Sequence, residues 1–473
     1  MSARLMRSEG PRPGLGIVHL GPGAFFRSFV APWVGEAMAA SGGDWGIVGV
    51  SLRSAADRDA LAPQGFAYTA VELGPEGEAA KVVEVIEDIL VAPEDPEAVL
   101  ARMADPGVRI VSLTVTEKGY CHAPATGRLE MDHPDIVHDI ASPLPRSAPG
   151  FLVRALQRRR AAGVRPFTVL SCDNLPANGR LVRGVVLDFS RAVDPGLADW
   201  IAAEGRFPST MVDRITPAVT EEDCARVERL TGWQDAAPVL HEPFRQWVVE
   251  DDFVDGARPD LGAVGVQLVG DVTPYEHMKL RMLNGTHSAL AYLGYLAGHE
   301  TIAETVADPV FAGFVRQLWA REIIPAVEAP PGVDLGAYAE ALMARYRNPA
   351  IRHRTWQIAM DGSQKLPQRI LGTMAEGLDA GRAVPGLALV VAGWMRYVGG
   401  VDERGQPIDV RDPMAARLRT LAEGADPVAA LLGVREVFPE ALAARLAGPV
   451  AAAYGRIAAL GARGAVAELG GGT

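Results

Sequence analysis

Cysteine is scarce. The 473 residues hold three, Cys121, Cys172 and Cys224, and none sits in a C-x-x-C pair. So few cysteines exclude a disulfide scaffold and suit a reducing compartment, so a cytoplasmic protein is expected. Apolar runs of 18 or more residues are missing, so no membrane span is expected. The opening MSARLMRSEGPRPGLG has neither a long apolar core nor a cleavage-site pattern. Positive charge is in deficit, with 46 Lys and Arg against 58 Asp and Glu and a formal charge of −12. Such a surface repels a phosphate backbone, so no nucleic-acid partner is expected. Internal repeats and low-complexity linkers are absent as well. What remains is a globular chain, 48% hydrophobic and 22% charged. Its length fits two or three domains at roughly 100–200 residues each, or one large domain with a second lobe.

The first informative segment is Gly16-Ile17-Val18-His19-Leu20, followed by Gly21-Pro22-Gly23-Ala24-Phe25-Phe26-Arg27. An apolar β-branched run entering G-x-G reads as a strand and a tight turn, and residues 24–38 then take helical spacing. This is how a dinucleotide-binding βαβ unit opens. The first glycine permits the turn, and the second lets a pyrophosphate approach the backbone at a helix N-terminus. Phe26 stands where a third glycine is usual, and an isolated G-x-G also fits an ordinary βα turn. The next strand, 45–52, ends at Arg53, Ser54 and Asp57. An acid there reads a ribose hydroxyl and an arginine accepts a 2′-phosphate, so NAD and NADP both stay open; surface charges fit equally. Residues 66–72 and 81–91 read as a hairpin-like insertion. Residues 108–115 and 167–172 read as buried parallel strands, with helices over 150–162 and 181–193. The alternation predicts an α/β fold with a doubly wound parallel sheet.

Strand signals fade after residue 272, where a mostly α-helical domain (273–473) is predicted to replace the sheet domain (1–272). Ligands of open α/β sheets bind outside the carboxyl ends of strands. That draws attention to Thr114-Val115-Thr116-Glu117-Lys118 and to Ser171-Cys172-Asp173-Asn174. Asn174 has a carboxamide able to donate to a substrate oxygen, although turn chemistry also explains it. In the helical part, Lys279, Asn284 and His287 fall in one amphipathic stretch. At about 100° per residue, Lys279 and His287 lie about 80° apart, and Asn284 shares a face with His287. A lysine among Met278, Leu280, Met282 and Leu283 is desolvated, which brings its pKa toward neutrality and makes it a usable acid/base. A structural polar network would show the same spacing.

Taken together, these segments resemble the mannitol dehydrogenase family, the polyol-specific long-chain dehydrogenases. Residues 21–27 are similar to its G-x-G-A-F-H-R turn, and residues 171–179 to its S-C-D-N block. Residues 207–217 are similar to its V-D-R-I signature. Lys279, Asn284 and His287 match its K-x4-N-x2-H helix, and residues 352–355 and 361–367 continue the likeness. The resemblance implies an N-terminal Rossmann-like domain binding NAD through Gly21, Pro22, Gly23, Ala24, Phe25 and Arg53, and a helical substrate and catalytic domain. It implies metal-independent hydride transfer, with Lys279 as general acid/base and Asn174 and Asn284 hydrogen-bonded to the reacting oxygen. His287 would orient substrate or lysine, Glu276 would relay protons, and Asp213 would line the site; an ion pair with Arg214 is the other reading of Asp213. No His/Cys cluster has zinc-ligand spacing. Two positions depart from the family: Phe26 replaces its histidine, and Gln357 stands where mannitol-type members carry arginine. The stretch His353-Arg354-Thr355-Trp356-Gln357 is closer to the acid-type members. It points to interconversion of D-fructuronate and D-mannonate, with Arg354 or Lys365 pairing the carboxylate unless these are surface or structural charges. The alternatives are a polyol 2-dehydrogenase acting on mannitol, arabinitol or sorbitol, and a non-catalytic nucleotide-binding regulatory protein. The expected partner is a small sugar acid or polyol, and the expected state a monomer or small homo-oligomer.

Overall fold

The computed structural model describes residues 2–123 and 126–471. The chain divides into two compact units, Met1–Thr273 and Pro274–Thr473. The first is built on five strands, β1 (Leu15–Leu20), β2 (Gly46–Ser51), β3 (Ile86–Val91), β4 (Ile110–Leu113) and β5 (Thr168–Ser171). They pair in the order β5-β4-β1-β2-β3, every pair parallel. This is Rossmann strand order, and its topological switch point lies between β1 and β4. A parallel sheet covered on both faces needs apolar side chains pointing both ways. β1 and β4 show this directly. Val18, Leu20, Val111 and Leu113 pack with Phe151, Leu152 and Val185 on one face. Ile17 and Ile110 join Phe29, Val34 and Trp247 on the other. The crossover helices begin on capping chemistry. Asp95 accepts from the Ala98 N–H at 2.9 Å ahead of Pro96–Ala104, and Ser147 from the Gly150 N–H at 3.0 Å ahead of Ala148–Ala161. Each helix also has proline in its first turn, where no N–H is needed.

The stretch predicted as one strand over 81–91 is two. Gly77–Val83 pairs antiparallel with Tyr68–Gly74, giving the expected hairpin, whereas Ile86–Val91 enters the main sheet as β3. The break falls at Glu84, whose carboxylate accepts from the Ser8 N–H and hydroxyl, both at 2.7 Å. Further short strands carry too little pattern to stand out in sequence. Thr210–Asp213 pairs antiparallel with Gln246–Glu250, and Val239–His241 runs parallel to Tyr68–Gly74.

The second unit has no β-strand among the described residues, only two isolated bridges. One apolar core joins helices Gly285–Leu296, Pro309–Leu318, Pro385–Val398 and Glu440–Gly471. Gly393 lets two of them meet, since a Cβ there would lie 2.7 Å from Leu293 Cδ2. No helix of the described residues is long and apolar enough to cross a membrane. Glu322 is 6% exposed and accepts from the N–H groups of Gly386 (2.7 Å) and Leu387 (2.8 Å), capping Pro385–Val398. Burial pushes its carboxyl up to about 7, against the pull of these two hydrogen bonds. An acid whose folded pKa lies above its unfolded value makes folding most favourable at low pH, and that advantage is lost as pH rises from its ordinary range through about 7. Wild type should therefore lose up to roughly 3 kcal/mol relative to Glu322→Gln between pH 5 and pH 8. Chemical denaturation of both proteins at the two pH values checks this; parallel losses would show that another group titrates.

Candidate active site

The first unit presents a cavity of about 1030 Å³ outside the carboxyl ends of β1 to β4, lined by Gly21, Arg53, Thr114, Thr116 and Lys118 among others. Gly21 has φ +88°, and a Cβ there would lie 2.3 Å from the Thr114 carbonyl oxygen, so only glycine lets β1 and β4 close at the switch point. Gly23 differs. Nothing lies within 4 Å of a Cβ placed there, so its backbone stays approachable. Ala24 opens the short helix Ala24–Ser28, and Phe25 stacks on Phe29 at 5.0 Å. Arg27 holds the turn from behind, donating to the carbonyls of Pro22 (3.2 Å) and Ala237 (2.6 Å) and pairing with Asp57 at 3.3 Å. Asp57, a sequence candidate for ribose reading, is thus committed to Arg27, while Arg53 lines the cavity.

Phe26, at the third-glycine position, stacks on His19 with ring centroids 3.8 Å apart. His19 itself bridges β1 and β4 through Ser112 Oγ (2.8 Å) and Thr114 Oγ1 (2.9 Å). Burial pushes its pKa down to about 3, so the ring stays neutral. Periodicity does not reveal this role, because a histidine inside an apolar strand reads as core. Asp173 is a second such residue. It accepts from the N–H groups of Val115 (2.9 Å) and Thr116 (3.0 Å) and from the Tyr120 hydroxyl (2.8 Å), joining the loops after β4 and β5. Thr116, at φ +63°, is held left-handed by this clamp. Asn174 is exposed just beyond it. Asn178 is buried and structural, exchanging hydrogen bonds with Thr210 at 2.9–3.2 Å. Asp213 ends Thr210–Asp213 and is 4% exposed, while Arg214 donates to the carbonyls of Ser28 and Phe244.

In the second unit, the stretch with Lys279, Asn284 and His287 is not one regular α-helix. Thr273–Met278 is α-helical, Lys279–Asn284 is a π turn, and Gly285–Leu296 is α-helical again. This corrects the separation of about 80° expected between Lys279 and His287, which assumed α spacing throughout. Carbonyls of the widened turn take side-chain donors, Met282 from the Trp319 indole N–H (3.3 Å) and Leu283 from the Tyr346 hydroxyl (3.0 Å). Two more π turns, Trp319–Ile323 and Pro367–Leu371, pack against the first. Gly285 admits the latter, since a Cβ there would lie 2.8 Å from the Arg369 carbonyl oxygen.

Lys279, Asn284 and His287 are all at most 8% exposed, and Glu276 is half-buried one turn earlier. His287 Nε2 has no hydrogen-bond partner among the described residues, and its ring meets Tyr346 at 4.8 Å and His353 at 5.0 Å. Burial first, then the charges of His353, Arg345, Arg369 and Lys279, holds His287 well below its ordinary pKa. Burial also brings His353 down to about 4. Both rings are therefore neutral near pH 7. The two carboxylate-binding candidates fare differently. Arg354 is exposed. Lys365 Nζ donates to the main-chain carbonyls of Met360 (2.5 Å) and Ile358 (3.4 Å), and burial lowers its pKa to about 8. Lys279 also belongs to a residue type that is rare in this chain. The chain has 42 arginines and four lysines, Lys81, Lys118, Lys279 and Lys365. A guanidinium stays protonated, so a site that must exchange a proton cannot use arginine.

Two family models together match most of the chain, the mannitol dehydrogenase Rossmann domain at residues 15–262 and the mannitol dehydrogenase C-terminal domain at residues 271–458. D-mannonate oxidoreductase of Escherichia coli strain K12 is 48% identical over 463 residues, covering 96% of this chain and 95% of that protein. The solved structure of Pseudomonas fluorescens mannitol 2-dehydrogenase in ternary complex with NAD and D-mannitol superposes with a TM-score of 0.88 at 38% identity, covering 99% of this chain and 96% of that one. A substrate-free D-sorbitol dehydrogenase gives a TM-score of 0.88 at 34% identity, covering 96% and 95%. The chain belongs to the mannitol dehydrogenase family of oxidoreductases.

Proposed function

We propose that the protein interconverts D-fructuronate and D-mannonate with NAD(H), without a metal, and that Lys279 is its general acid/base. The observation that carries this is a buried lysine beside an unpartnered neutral imidazole, on the helix of a chain 48% identical to a D-mannonate oxidoreductase. The cavity at the carboxyl ends of β1 to β4 suits a dinucleotide, with Gly21 to Phe25 forming the turn, Gly23 leaving open backbone, and Arg53 at the strand end where ribose is read. Bound NAD(H) supplies or accepts the hydride.

The residues of the chain manage the oxygen. In reduction, the ketone carbon gains hydride and its oxygen gains a proton. Lys279 Nζ donates that proton, and in oxidation takes it back from the hydroxyl. The Asn284 carboxamide and, by family likeness, that of Asn174 donate hydrogen bonds to the oxygen as it becomes anionic. His287 Nε2 bonds a substrate hydroxyl, and Glu276 passes the proton between Lys279 and water. Asp213 contacts the substrate. A polyol 2-dehydrogenase is the second reading, favoured by the likeness to mannitol 2-dehydrogenase.

Absorbance at 340 nm separates the two readings. Fructuronate is offered with NADH and with NADPH, and mannonate, mannitol, arabinitol and sorbitol with the oxidised cofactors. Fast NADH oxidation by fructuronate with silence on the polyols is the expected result. Turnover of a polyol alone would overturn the sugar-acid substrate and keep the lysine chemistry. Cofactor binding without any turnover would favour the non-catalytic alternative.

A further inference from the structure

Arg369 lies in the π turn Pro367–Leu371, whose backbone rests against Gly285, one residue from Asn284 and two from His287. Its side chain runs along the same helix and reaches Ser288, where Nη1 lies 3.5 Å from Oγ. That long contact is its one side-chain hydrogen bond, and no ion pair serves it among the described residues. The carboxylates of Asp361 and Asp412 act on the neighbouring Lys365 and Tyr292, and neither pairs with Arg369. Arg369 lowers the affinity of Lys365 for a proton, and Arg345, Lys279 and the two histidines share the neighbourhood. A half-buried guanidinium without an ion pair is costly unless an anion completes it. Nearby polar atoms await partners too: His287 Nε2, His353 Nδ1 and Tyr292 Oη are buried and unbonded.

We propose that Arg369 reads the carboxylate of the sugar-acid substrate, pairing it on the helix that carries Lys279, Asn284 and His287. The spacing is right for a six-carbon acid. Ser288 stands four residues, about 6 Å of helix rise, beyond Asn284. In fructuronate the ketone carbon is four carbon–carbon bonds from the carboxylate carbon, about 5 Å when extended. A ketone held at Asn284 therefore places the acid group beside the guanidinium at Ser288. Arginine also offers the planar two-pronged geometry that a carboxylate matches. Lys365 lacks this freedom, because main-chain carbonyls already hold its ammonium. The assignment rests on the sugar-acid reading and deepens it by naming the specificity residue.

The test is steady-state reduction of fructuronate by wild type, Arg369→Gln and Arg369→Lys, with melting temperature and NADH binding measured alongside. Arg369→Gln should raise KM for fructuronate about 10²-fold or more with kcat little changed, as expected for a lost carboxylate pair. Arg369→Lys keeps the charge without the fork and should raise KM about tenfold, which keeps the test open should Arg369→Gln fail to fold. An unchanged KM, or a fall in kcat at constant KM, overturns the assignment while wild-type turnover leaves the sugar-acid reading standing. Wild type silent on fructuronate overturns that reading and this assignment with it.

Discussion

Lys279→Met should lower kcat about 10²–10⁴-fold, the usual contribution of a positioned proton donor. Melting temperature and NADH affinity should stay close to wild type. The substitution keeps an unbranched side chain of similar length in a position only 5% exposed, so packing around Met278 and Met282 is retained. The carbonyls of the π turn keep their donors from Trp319 and Tyr346, because neither bond involves the lysine side chain. Loss of turnover without loss of fold is therefore the signature of the chemistry. Arginine is the informative companion: Lys279→Arg keeps the positive charge, cannot release its proton at neutral pH, and should be about as inactive. A Lys279→Met rate near wild type, measured at 340 nm under saturating NADH, would remove the lysine from the mechanism.

Gly21→Ala and Gly23→Ala should part company. The first adds a methyl 2.3 Å from the Thr114 carbonyl oxygen at a residue with φ +88°. Neither side yields easily, since the Thr114 hydroxyl donates to the Gly21 carbonyl at 2.7 Å and His19 braces both. A loss of about 2–4 kcal/mol from the first unit is expected, seen as a lower denaturation midpoint. Gly23→Ala meets nothing within 4 Å and should unfold like wild type, yet weaken NADH binding tenfold or more, because the methyl fills the space a pyrophosphate approaches. Fluorescence titration with NADH alongside denaturation reads both effects. Wild-type NADH affinity in a folded Gly23→Ala protein would place the cofactor elsewhere.

The contrast shows what a sequence displays and what it withholds. The strand-turn of residues 16–27 is legible because apolar β-branched residues and G-x-G are local signals. The parallel strands 110–113 and 168–171 are legible for the same reason. The partition of 81–91 between two sheets is not, because burial pattern says that a strand is covered and not which neighbour it joins. Lys279, Asn284 and His287 are legible as types and order, whereas the π turn joining them leaves the apolar spacing nearly unchanged. His19 and Asp173 act through partners 50 or more residues away, Ser112, Thr114, Val115 and Tyr120, and no local pattern encodes such distances. Arg369 is hidden most fully. Between Gln368 and Ile370 it reads as an ordinary helix-surface charge until the fold sets its backbone against Gly285 and its side chain beside Ser288.

The three stacked π turns also constrain how this unit can vary. Each contains one residue more than the α ladder around it needs, and each is braced by its neighbours. Losing one residue between 279 and 284 would restore plain helix and turn Lys279 by about 100° relative to His287, with every side chain type still present. Under the proposed mechanism, chain length here therefore counts as much as residue identity. Segments grafted among relatives will keep their chemistry only when the count from Lys279 to Gly285 is preserved, and an intact K-x4-N-x2-H string is the written form of that count.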